Sequence, residues 1–86
     1  METIIIMTEV FSPYGKYVKF TKKGEREIIA EINRKEGKYV IFGNRHQLAT
    51  RSGKDSAIKF AQDYIKGFMP EAVFKWNVMV ERIKYN

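Results

Sequence analysis

Ser52-Gly53-Lys54-Asp55-Ser56-Ala57-Ile58-Lys59-Phe60-Ala61-Gln62-Asp63-Tyr64-Ile65-Lys66-Gly67 is the stretch that decides the fold, because the apolar residues recur there at helical spacing. Ala57, Ile58, Ala61, Tyr64, Ile65 and Phe68 line one side, and Lys59, Gln62, Asp63 and Lys66 are left for solvent. Phe60 lies beside the stripe and widens it. Ser52 and Asp55 are suited to satisfy the unpaired amides of the first turn. Gly67 is suited to a left-handed end, and Pro70 forbids continuation. One amphipathic helix is therefore expected.

On the N-terminal side of this helix the period changes to two. Residues 3–11 are β-branched and aromatic with weak alternation, as in a strand partly covered on both faces. Ser12-Pro13-Tyr14-Gly15 suits a type I turn, with Pro preset at its second position. In residues 16–22, Val18 and Phe20 oppose Tyr17, Lys19 and Thr21. In 26–34, Ile28, Ala30 and Ile32 oppose Glu27, Ile29, Glu31 and Asn33. In 38–42, Val40 and Phe42 oppose Tyr39 and Ile41. Residues 44–53 are read as a loop or a short fifth edge strand. Beyond the helix, 72–85 alternate over a long span, with Phe74, Trp76, Val78 and Val80 on one side. This last strand is expected to be central and to anchor the helix through Phe74 and Trp76.

The expected fold class is thus α+β in the order β-β-β-β-α-β: an antiparallel meander of four strands, one helix and one long C-terminal strand. The helix packs on one face of the sheet. At 86 residues the chain builds one core, so residues 1–86 form a single small domain.

Composition narrows the chemistry. Without cysteine, disulfides and thiolate metal sites are excluded, which fits a reducing, cytoplasmic setting. The longest purely apolar run, Ile4 to Met7, is far too short to span a bilayer, so no membrane partner is expected. A net charge of +6 favours polyanionic or acidic partners. The lone His46 sits in a polar stretch with no spaced ligands around it. The serines are explained by turns and the helix start, and the carboxylates are scattered singly. Ser52-Gly53-Lys54-Asp55 lacks the upstream glycine and the Ser or Thr of a phosphate loop. No catalytic residue, metal ligand or cofactor is assigned.

A single helix covers one face of a five-stranded sheet, and the other face must meet water or a partner. That open face is expected to carry Tyr17, Lys19, Thr21, Ile29, Tyr39, Ile41, Lys75, Asn77, Met79 and Ile83. Two readings follow. In the first, Tyr17, Lys19, Tyr39 and Lys75 form a platform for nucleic acid while Arg45, Arg51 and Lys54 contact phosphates near the helix start. In the second, Ile29, Ile41, Met79 and Ile83 form a dry patch for an acidic protein, as in small viral or mobile-element chains that modulate a larger host enzyme. A homodimer through the open face or an edge strand is compatible with both. In element order alone, the chain resembles the sheet-and-helix DNA-binding domains of some recombinases and plant transcription factors, from which its long final strand departs.

Overall fold

In the computed structural model, which describes residues 2–84, five strands follow one another: β1 (Thr3–Ser12), β2 (Gly15–Lys22), β3 (Ala30–Lys35), β4 (Lys38–Gly43) and β5 (His46–Arg51). Helix α1 (Lys54–Lys66) comes next, then β6 (Ala72–Trp76) and the short β7 (Glu81–Arg82). All seven strands belong to one sheet in the order β5-β4-β3-β2-β1-β6, with β7 also paired to β1. The expected α+β class stands, with one helix against one sheet. The sheet is mixed, however, because β6 and β7 run parallel to β1 while the meander β1 to β5 is antiparallel.

Turn chemistry explains the meander. Between β1 and β2 the Ser12 hydroxyl donates to the Gly15 carbonyl at 2.9 Å and accepts the Tyr14 N–H at 3.3 Å. The β3–β4 turn uses Glu36 and Gly37 at φ 53° and 76°, and the β4–β5 turn uses Asn44 and Arg45 at φ 50° and 69°. Two successive left-handed residues match the twist of the flanking strands, which is why such turns join tight hairpins.

The helix crosses one face of the sheet and seals a core of Ile5, Met7, Val18, Phe20, Ala30, Ile32, Ile41, Ala57, Ala61, Ile65 and Ala72. Phe20 sits edge-on to Phe74 with ring centres 6.3 Å apart. Each fully buried Ile or Phe contributes about 1.5–3 kcal/mol, so this layer holds the domain together. Small residues at 57 and 61 let the helix approach closely. Gly43, buried on β4, admits the Tyr64 ring, whose Cε2 and Cζ lie 2.6 Å from where a Cβ would be.

Four expectations are corrected. Tyr39 and Ile41 face the helix, not away from it: Ile32↔Ile41 and Arg34↔Tyr39 are paired, and Ile41 is 0% exposed. Val40 and Phe42 occupy the far face instead. The C-terminal segment is not one central strand but an edge interrupted at residues 77–80, since Met7 pairs with Trp76 and Val10 with Glu81. Four residues there oppose two of β1. Trp76 is consequently 45% exposed, whereas Phe74 does join the core. At the helix start Gly53 is the N-cap with no side-chain cap bond, so neither Ser52 nor Asp55 caps it. At its end Gly67 is right-handed, at φ −61°.

Candidate nucleic-acid interface

The helix spans only part of the sheet's length. Beyond its N-terminus the strands run on to the turns at 13–14 and 36–37, and their helix-side residues there stand uncovered. Strand register lines these residues up in a single row. Arg82 pairs with Phe11, Phe11 with Lys16, Arg34 with Tyr39, and Tyr39 with Arg51. The pair Tyr17↔Asn33 brings Arg34 beside Lys16 and joins the two halves. The row therefore reads Arg82, Phe11, Lys16, Arg34, Tyr39, Arg51 across six strands, a length of about 24 Å at the usual strand spacing.

Each ring in it lies between two cations, with Lys16 and Arg34 side by side at the centre. Lys16 Nζ and the Arg82 guanidinium each lie 5.0 Å from the Phe11 ring centre, and Arg34 lies 5.8 Å from that of Tyr39. Arg51 stacks 4.8 Å from the Phe60 ring of the helix. Such contacts hold a cation in place without neutralising it. None of Lys16, Arg34, Arg51 and Arg82 forms an ion pair with a carboxylate among the described residues. The acid beside them, Glu9, is taken up by Lys54 at 3.1 Å. Lys54 also stands 5.9 Å above the Trp76 ring. A shallow cleft of about 190 Å³ opens among Glu9, Phe11, Lys16, Arg34, Tyr39 and Lys54. The start of α1 faces this same end, and the positive end of a helix adds to the potential there.

Of the residues singled out in the sequence, Tyr39, Arg51 and Lys54 come together on this shelf. Arg45 does not: it turns the β4–β5 hairpin at the opposite end of β5 from Arg51. Tyr17, Lys19 and Lys75 belong to the face without the helix. Lys19 is held there by Glu81 at 2.7 Å across β1, and Tyr17 is half-buried. The apolar set also separates. Ile41 lies in the core and Ile29 packs against it, Ile83 is half-buried at the edge, and Met79 projects from residues 77–80, which bulge out where four of them oppose two of β1.

Phe11, Lys16 and Arg34 escape sequence reasoning because they flank turns, where charge reads as a solvated tip, and Arg82 because it follows the interruption at 77–80 in what reads as one continuous strand. The usable signal is that every helix-side strand position just inside that end is a cation or a ring. Among the described residues no group of His, Asp and Glu is arranged to hold a metal ion, and no helix is long and apolar enough to cross a membrane. Comparison with protein families, curated proteins and solved structures finds no match.

Proposed function

We propose that this protein is a non-enzymatic nucleic-acid-binding module that engages phosphates through the row Arg82, Lys16, Arg34 and Arg51, with Lys54 beside it. The observation that carries this reading is the row itself, with four guanidinium and ammonium groups on one shelf, buttressed by aromatic rings and free of carboxylate partners among the described residues. Phe11 and Tyr39 between the cations supply apolar surface that bases tolerate, as on other sheet platforms. Phosphate contact requires no sequence readout, so affinity without strong sequence preference is expected.

The test is a fluorescence anisotropy titration with a labelled mixed-sequence oligonucleotide, single-stranded and duplex, over a salt series. Four neutralised phosphates give a log–log salt slope of about −2.8 for single strands and about −3.6 for duplex. Arg34→Ala with Arg51→Ala should halve that slope. Lys66→Ala, at the far end of the helix, should leave it unchanged. Binding that ignores salt, or that weakens equally in the Lys66→Ala variant, refutes the proposal.

A second reading, a protein-binding adaptor or inhibitor, is favoured by the exposure of Val78 and Met79, at 98% and 72%. Binding that survives loss of the Arg34 and Arg51 charges but not of these side chains would select it.

A further inference from the structure

The outer edge of β6 combines an open backbone with exposed apolar side chains. In its parallel ladder with β1, the Thr3 N–H donates to the Glu71 carbonyl at 3.4 Å and the Asn77 N–H to the Met7 carbonyl at 2.8 Å. Odd-numbered residues of β6 thus turn their backbone groups toward β1. Phe74 and Trp76 turn theirs outward, and no strand among the described residues pairs with that edge. Charge commonly blunts such an edge, and here Lys75 supplies the one charge within β6, on the face away from the helix. The edge runs into the bulge, where Val78, Met79 and Val80 are exposed together with Trp76. The bulge is pre-shaped: Asn77 Nδ2 donates to Thr8 Oγ1 at 3.3 Å, and Asn77 Oδ1 accepts the Met79 N–H at 3.0 Å. Ordering these residues beforehand lowers the entropy lost on association.

We infer that β6 pairs antiparallel with β6 of a second copy of this chain, about a two-fold axis at Phe74, joining two sheets into one. Backbone direction and charge select this register. The outward groups belong to even-numbered residues, of which Ala72 already gives its N–H to the Met69 carbonyl at 3.0 Å and keeps only its carbonyl for a partner, so the axis passes through a hydrogen-bonded pair at Phe74. An axis at Phe74 sets Val73 opposite Lys75 of the other chain, and Trp76 opposite Ala72. An axis at Lys75 would instead oppose two ammonium groups and two inward-facing backbones. The same operation carries the bulge of each chain toward Phe68 of the other, itself exposed just before β6. Apolar surface on one chain thereby covers apolar surface on its copy. An axis normal to the sheet leaves both helices and both cation rows on one side, and the inference stands whether or not those rows bind nucleic acid.

The chain lacks cysteine, which makes the register testable. Facing residues of a non-hydrogen-bonded pair lie about 4.5 Å apart at Cα, within disulfide reach. Oxidation of an equimolar mixture of Val73→Cys and Lys75→Cys variants should yield a mixed disulfide dimer, and either variant alone several-fold less. Sedimentation from low micromolar to near-millimolar concentration should show the mass doubling. Val78→Glu or Phe68→Glu should move the midpoint about tenfold or more upward, with circular dichroism confirming the fold. A single-chain mass at the highest concentration, or Lys75→Cys crosslinking with itself as well as with Val73→Cys, overturns the inference.

Discussion

Gly43→Ala tests how closely the helix is seated on the sheet. The added methyl would stand 2.6 Å from Leu48 Cδ1 and from Cε2 and Cζ of Tyr64. Carbon atoms rest at about 3.5–4.0 Å, so roughly 1 Å of overlap must be relieved. Leu48, exposed on the edge strand β5, can rotate away. Tyr64 is less free, because its ring is half-buried and sits edge-on to Phe68 with centres 5.3 Å apart. Moving that ring lifts the helix from β4. Overpacking of this kind costs about 1–3 kcal/mol, offset by about 0.4–1 kcal/mol from stiffening the unfolded chain. The expected net loss is about 1–2 kcal/mol, or a fall in Tm of about 4–16 °C for a domain of this size. Thermal and urea denaturation measure it. In a Tyr64→Ala background the ring is gone and the same substitution should become neutral or slightly stabilising, a coupling of at least about 1 kcal/mol. An unchanged Tm in the natural sequence, or an equal loss in both backgrounds, would show that the ring does not rest on Gly43.

Arg45→Gly should raise stability by about 0.5–1 kcal/mol, since glycine removes the penalty of a left-handed arginine at φ 69°; an unaltered or lower urea midpoint would contradict this. Phe20→Ala should destabilise by about 3–5 kcal/mol and leave little folded protein, whereas Trp76→Ala at the exposed edge should cost only about 1–2 kcal/mol; near-ultraviolet and far-ultraviolet melts separate the two. Asn77→Ala removes the side-chain bonds to Thr8 and Met79 and should destabilise by about 1–2 kcal/mol, with amide exchange quickening first at Met79, and uniform protection there would argue against a pinned bulge.

The sequence declares the helix, the β2 face, the Ala30–Ile32 part of β3 and the turns at 13–14 and 36–37 because polar and apolar residues contrast there. Val18 and Phe20 against Lys19, or Ala30 and Ile32 against Glu31, leave one register open to them. The reading fails just before β3, where Ile28, expected in the core, is exposed and Ile29, expected on the open face, packs against the core. In β4 the contrast fails, since Tyr39-Val40-Ile41-Phe42 is apolar on both sides and alternation alone cannot choose a face. Gly43 held the missing information, because a glycine in phase with Ile41 makes room for the helix. Residues 72–85 misled for another reason. Their alternation continues through Asn77, yet that side chain bonds its own backbone two residues on and breaks the strand. Parallel pairing with β1 joins residues about seventy apart, which no local pattern announces. The cation row depends on the same pairings, so the alignment of Tyr39 and Arg51 with Phe11, Lys16 and Arg82 could not be read from the sequence.

The parallel seating of β6 and β7 on β1 also makes one rim of the sheet depend on residues far along the chain. Strands β1 to β5 are neighbours in the chain and can zip together hairpin by hairpin as they are synthesised. The outer rim of β1, with Ile4, Ile5, Ile6 and Met7 along it, has no mate until residues 72–82 leave the ribosome. Closing the chain over that distance carries an entropy cost that none of the hairpins shares. Until then that apolar rim is an unpaired strand edge, the kind of surface that promotes association of partly folded chains.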